Sequence, residues 1–429
     1  MDKTAANLEK HVRYLCDTIG VRLAGSPGEF QAAGYIKEEF LKYSPQVTIE
    51  EYPVWERCVY SEKLEVNING TWQAFPCSLF SSAAFTDGKT VTADLVFFDT
   101  ATGYQRKDLS LLTGKAVVHL GCHIEDEDCY RRLMEAKPAF ILFVDTRYTG
   151  TVQLADGLFP AYVKKYGSVP CLNVAYFDAW KWLQQKAVSA RIAVSGENKL
   201  SKTTVVVCDI PGTQPGSGVI YASGHHDTQA DTVGADDNAI GSAAVLELAR
   251  LLSAVPHKRS FRLLSFGAEE QLSLGSASYI RAHRAEIEKE GIFTCNFDSF
   301  GSALGWYKFT LNSNRAMADL IASHFNGNDI YYTLTSDPCP YTDQFPFAAC
   351  KVPGLWINRP NCIGGCYYHH RADNVPGVIG YDTAAHTVNT ASRFLVDLAD
   401  RENLSQLQGI PADQQKLIDT QFQAVYGGF

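Results

Sequence analysis

The chain has 429 residues, 46% hydrophobic and 12% aromatic, so it can bury a sizeable core and is too long for one small domain. Its 47 acidic against 38 basic residues give a formal net charge of −9, with no run of Lys or Arg, which argues against a nucleic-acid or membrane-surface partner. The longest apolar stretches, such as Phe140 to Val144, fall far short of the ~20 residues that span a bilayer.

In chain order, Leu8, Val12, Leu15, Cys16 and Ile19 recur at helical spacing, from a Thr4 cap to a stop at Gly20. Met1 to Arg13 has no apolar core or cleavage site of a signal peptide, so a cytoplasmic protein is expected. A Gly-Ser-Pro-Gly break at 25–28 precedes a second helix through Ile36, Phe40 and Leu41, and Thr48 to Val54 reads as a strand.

From about Trp55 to Lys199 the texture changes to short strands and turns. Leu64 to Ile68 and Thr71 to Phe75 flank Asn69-Gly70, a strong hairpin signal. Ala116 to Leu120, Ala139 to Val144 and Pro170 to Val174 are short apolar runs, with a helical stretch near Cys129 to Ala136. This predicts a β-rich domain over 57–199, inserted into a domain made of 1–56 and 200–429.

From Thr203 strands and helices alternate: strand 205–208, strand 219–222, helix 239–252, strand 261–266, helix 277–287, strand 292–297, strand 307–311, helix 315–325, strands 330–335 and 354–357, and helix 382–399. The pattern predicts an α/β fold with a mostly parallel central sheet and helices on both faces. A last helix is expected from Gln406, packed on the outside. The strands Thr48 to Val54 and Thr203 to Cys208 are expected to pair in this sheet. The 12 Cys residues read mostly as reduced core residues, Cys362 and Cys366 beside a His-rich segment excepted.

Open parallel sheets bind ligands beyond the carboxyl ends of their strands, so the polar residues found there matter most. Gly224-His225-His226-Asp227-Thr228 follows one predicted strand, and Gly234-Ala235-Asp236-Asp237-Asn238 opens the next helix. Gly267-Ala268-Glu269-Glu270 and Asp298 follow two more, and the strand ending near Ile357 leads to Tyr367-Tyr368-His369-His370-Arg371-Ala372-Asp373. Taken singly, Asp237 and Asn238 would read as a helix cap and Glu269-Glu270 as a solvated helix start. Together, carboxylates and imidazoles at one sheet edge would repel or stay badly desolvated without a cation among them. Two His and three carboxylates exceed one tetrahedral zinc with an open position, but suit two metals bridged by a carboxylate and a water.

With Thr342-Asp343-Gln344-Phe345-Pro346-Phe347, these motifs resemble, in order, those of the co-catalytic di-zinc exopeptidases of metallopeptidase family twenty-eight, the bacterial aminopeptidase type. The resemblance covers about residues 4–54 and 203–400. It implies a zinc-exopeptidase fold, two zinc ions per chain, and His225, Asp237, Glu270, Asp298 and His369 as ligands. His225 and Asp298 would hold one ion, Glu270 and His369 the other, with Asp237 bridging. It further implies Asp227 as the carboxylate that orients His225, Glu269 as general base, and Tyr368 as a donor to the oxyanion. The residues alone leave His226 and His370 open as alternatives to their neighbours. The insert resembles a protease-associated domain, which would wall or cover the substrate cleft.

The function implied is hydrolysis of the N-terminal peptide bond of peptide substrates, with Asp343 in a pocket motif. A carboxypeptidase or dipeptidase of this fold would instead need a cation for the C-terminal carboxylate, and Arg359 and Arg371 are the candidates. The family also contains single-zinc glutaminyl cyclases and metal-free scaffolds; retention of all five ligands and the base argues against a scaffold. No His-Glu-x-x-His, Gly-x-Ser-x-Gly or phosphate-loop motif is present, and nothing in the sequence speaks to oligomeric state.

Overall fold

Strands that are apolar at nearly every position suit a sheet covered on both faces. In the computed structural model, which describes residues 2–121, 124–144, 152, 157–360 and 376–429, the central strands divide their side chains between two cores. Val206, Cys208, Ile220, Ala222 and Leu263 pack with helices Lys3–Arg13, Pro27–Phe40, Ile240–Ser253 and Tyr381–Asp400. Val205, Val207, Val219, Tyr221 and Leu264 pack instead with Tyr279, Ile280, Ile287 and Phe347. The division follows the two-residue period of a pleated strand.

The chain forms two compact units, one from residues up to Trp55 and the described residues from Leu200 on, the other from Glu56–Lys199. In the first, the strand order is Tyr332–Thr335, Tyr307–Asn312, Gly354–Asn358, Gly291–Phe297, Val219–His225, Ser260–Phe266 and the part of Ser189–Ile210 from Leu200 on. The four strands from Gly354–Asn358 to Ser260–Phe266 are parallel, so their carboxyl ends share one edge. Antiparallel neighbours flank them. Val47–Ile68 and Ser189–Ile210 are each 22 residues long and pair with each other.

In the second unit, Val91–Asp99, Ala116–Leu120, Phe140–Val144 and Cys171–Val174 lie parallel in that order. Helices Glu127–Glu135, Pro160–Tyr166 and Tyr176–Gln184 punctuate the strands. Leu64 to Ile68 pairs antiparallel with Thr71 to Phe75, and Asn69 and Gly70 both take positive φ, 52° and 82°, as a tight hairpin turn requires.

Some boundaries differ from the sequence reading. The first helix starts at Lys3, with Asp2 in the cap position, and Thr4 lies inside it, its hydroxyl donating to Asn389 Oδ1 (3.1 Å). The stretch expected as one helix over 277–287 is two, Leu274–Ala282 and Arg284–Glu290. His283 leaves helical geometry between them, its ring bonded to Glu50 Oε2 at 2.8 Å. The last helix begins at Ala412, after Pro411, and buries Ile418 and Phe422 against Phe345 and Ala348. No helix among the described residues is long and apolar enough to cross a membrane.

Helix Ile240–Ser253 approaches the sheet closely at Gly241, where a Cβ would overlap Phe297 O and the Asn238 side chain. Gly241→Ala is expected to destabilise the fold by about 1–3 kcal/mol through overpacking, read from the denaturant midpoint; an unchanged midpoint would contradict this packing.

Candidate metal centre

Three parallel strands deliver the site. Phe266 lies opposite His225, and Ser223 opposite Asn296, so Asp298 and Gly267 project just past the same edge as His225. Asp237 comes from the following turn. That turn passes through Gly234 in the left-handed region (φ 50°), where a Cβ would overlap the Asp237 carbonyl, so only glycine fits. The Asn238 amide pins the turn to its neighbours: Nδ2 donates to Phe297 O (2.9 Å), and Oδ1 accepts from Gly241 N (2.9 Å).

His225 is the centre of the cluster. Its Nε2 lies 2.9 Å from Asp237 Oδ1, 3.5 Å from Asp298 Oδ1 and 3.7 Å from Glu269 Oε2. On the far side of the ring, Nδ1 lies 3.3 Å from Asp227 Oδ1. One donor atom from each of His225, Asp237 and Asp298 falls within 4.8 Å of the others, all three residues buried. Asp227 also fixes the loop that carries both glutamates, because its two oxygens accept from Glu269 N (3.1 Å) and Glu270 N (3.2 Å). Glu269 Oε1 accepts from Ser273 Oγ (3.1 Å), and Glu270 Oε2 from Gln229 Nε2 (2.9 Å).

His226, next in sequence, faces elsewhere. Its ring lies between Ser265 Oγ (3.0 Å) and Thr204 Oγ1 (3.1 Å), near the buried Glu29. Adjacent strand-end residues point to opposite faces, and it is His225 whose ring meets the carboxylates.

Burial alone would hold the His225 imidazole below its usual range, but Glu269, Asp227, Asp237 and Asp298 together lift it well above. Burial pushes Glu269 well above the carboxylate range; His225 opposes this, and Asp298, Asp343 and Glu270 add to it. Asp298 is raised by burial against the pull of His225. Burial likewise takes Asp343 and Asp236 to about 7, Asp236 even though Ser302 Oγ (2.9 Å) and Gly301 N (2.8 Å) donate to it. Like charges about 4 Å apart repel by about 4 kcal/mol at an effective dielectric of about 20, so acids this dense require protons or a cation. An imidazole with carboxylates suits zinc and similar transition metals better than magnesium or calcium.

Of the other candidates, Arg359 is engaged elsewhere: Nε donates to Ser302 O (2.8 Å), and the guanidinium lies over the Tyr307 ring at 4.7 Å. Tyr368, His369, His370 and Arg371, with Cys362 and Cys366, lie outside the described residues. Ser273 and Gln229 do not stand out in the sequence, and Asp236 does so only as part of the motif that carries Asp237. Ser273, four residues after Glu269, offers only a weak positional signal, and Gln229 offers none.

His225→Ala is expected to abolish divalent-cation binding while His226→Ala retains it, measured as metal retained after dialysis; the reverse pattern would put the ligand at His226. Cation uptake must displace the protons that the raised Asp298, Glu269 and His225 hold, so affinity for Zn²⁺ should rise with pH. Calorimetry in two buffers of different ionisation enthalpy reads the proton release; a pH-independent affinity would contradict it.

Residues 205–395 match the model of Peptidase family M28. The chain is 25% identical over 301 residues to aminopeptidase YwaD of Bacillus subtilis, a match covering 69% of this chain and 62% of that protein, less than two thirds of the relative's length. In fold it resembles a Peptidase M28 precursor from Shewanella amazonensis (TM-score 0.79, 18% identity, 96% of this chain and 98% of that one). It also resembles BSAP, a zinc aminopeptidase from Bacillus subtilis (TM-score 0.74, 17% identity, 95% and 98%). The segment that carries His225, Asp227, Asp237, Glu269, Glu270, Asp298 and Asp343 is therefore of Peptidase family M28.

Proposed function

We propose that the protein is a zinc-dependent exopeptidase that removes N-terminal residues from peptides. The observation that carries this is the buried His225 Nε2 facing Asp237, Asp298 and Glu269, an arrangement of donors that calls for a cation. The proposal includes two zinc ions. His225 and Asp298 would hold one, Glu270 and His369 the other, and Asp237 would bridge them. Similarity to aminopeptidases, one of them a zinc enzyme, supports the reading. Glu56–Lys199 is proposed as a protease-associated-like insert.

A bound zinc ion would supply Lewis acidity toward the scissile carbonyl and lower the pKa of water at neutral pH. Glu269 takes the proton of the attacking water and delivers it to the leaving amine. It needs to be ionised for this, and neighbouring positive charge would bring its raised pKa back down. Asp227 holds the His225 ring and the Glu269-Glu270 loop in one orientation. Tyr368 is the proposed donor to the developing oxyanion. The free α-amine of a peptide would find the negative charge it needs among Glu269, Asp298 and Asp343.

Incubating a mixture of unblocked peptides with the protein and reading the products by mass spectrometry tests this. Chelator-sensitive loss of N-terminal residues is expected, and loss from the C-terminus would overturn the polarity. Glu269→Ala should lower kcat by about 10²–10⁴-fold with metal content unchanged; loss of metal together with activity would remove Glu269 from the role of base.

A further inference from the structure

The structure assigns Arg22 as a positioning residue for the cation site: its guanidinium fixes the strand end that carries His225 relative to the turn that delivers Asp237. Resting on the metal reading above, this concerns a residue in the short segment between the first two helices, far from the site in sequence. Arg22 is wholly buried. Its Nε donates to His226 O (2.6 Å), next to His225. Nη1 donates to Val233 O (2.8 Å) and Nη2 to Gly234 O (3.3 Å), at the left-handed turn before Asp237. Nη1 also reaches Gly20 O (2.9 Å) and Leu15 O (3.2 Å), anchoring the fork to the π-helical turn Tyr14–Ile19 that follows the first helix and to its cap. The backbone continues the clamp: Arg22 N donates to Thr228 Oγ1 (3.0 Å), and Thr228 N to Arg22 O (3.2 Å), beside Asp227.

One side chain thus bonds to two of the segments that carry the cluster, the strand end of His225 and the turn of Asp237. Only a planar fork can do this. Guanidinium presents five N–H donors in fixed directions, whereas the lysine ammonium is a point charge with three. Without the fork, the buried His226 O loses its donor, while Val233 O and Gly234 O keep Cys16 Sγ (3.4 Å) and Ala239 N (2.9 Å), so the tie between the two segments that sets the separation of His225 Nε2 from Asp237 Oδ1 is lost. Partners that orient metal ligands are commonly worth about 10–100-fold in metal affinity.

The test uses the full chain and Co²⁺, whose visible absorption reports ligand geometry and whose affinity is read by competition with a chelating dye. Arg22→Lys should bind Co²⁺ at least about tenfold more weakly than the unsubstituted protein, with a changed absorption band. Leu398→Ala, a cavity in the Tyr381–Asp400 helix, controls for lost stability and should bind Co²⁺ normally even where the metal-free protein melts earlier. Thr228→Val, which removes the acceptor of Arg22 N, is the milder variant should Arg22→Lys not fold, and it too should weaken binding. An affinity within about twofold of the unsubstituted protein in the folded variant, or an equal loss in Leu398→Ala, overturns the assignment. Failure of the unsubstituted protein to bind Co²⁺ is a separate result, which removes the metal reading itself.

Discussion

Four carboxylates, from Asp227, Asp237, Glu269 and Asp298, surround one imidazole that has no access to water. Much of the surrounding structure follows from keeping that charge in place. Desolvated acids at such spacing ordinarily move apart or stay protonated. Here they are fixed by strand ends, by a turn only glycine can make, and by backbone amides that bind Asp227 from the glutamate loop. A rigid, water-poor arrangement of this kind is costly empty and favourable with a cation in it.

The fold explains how such a site can be built. Four parallel strands open their carboxyl ends on one edge, and both faces are covered, so strand-end residues can be buried without being in the hydrophobic cores. Helix Ile240–Ser253 starts directly behind Asp237, and Asn238 and Ser242 tie its first turn to Phe297 O and His225 O. The turn that carries Asp237 is therefore tied to the sheet. Arg22 adds a tie from the N-terminal segment, so residues distant in sequence share in setting the geometry of one imidazole.

Much of this was legible in the sequence because it is local. Apolar runs gave the strands, Asn69-Gly70 gave the hairpin, and carboxylates at successive strand ends gave the site. What was not legible depends on partners far along the chain. The choice between His225 and His226 turns on which face of the sheet each points to, and a run apolar on both faces carries no such signal. Arg22 reads in sequence as one more basic residue in a loop, since its acceptors beside the site are backbone carbonyls some two hundred positions away. The break at His283 was hidden because its neighbours keep helical periodicity, and the contact of its ring is with Glu50, more than two hundred positions away.

The central claim is that His225, Asp237 and Asp298 are held together to bind a metal. Anomalous diffraction from crystals of the protein grown with zinc tests it most directly. The account predicts a peak about 2.0–2.2 Å from His225 Nε2 and from oxygens of Asp237 and Asp298. Crystals that took up zinc elsewhere while His225 Nε2 kept its hydrogen bond to Asp237 would contradict it.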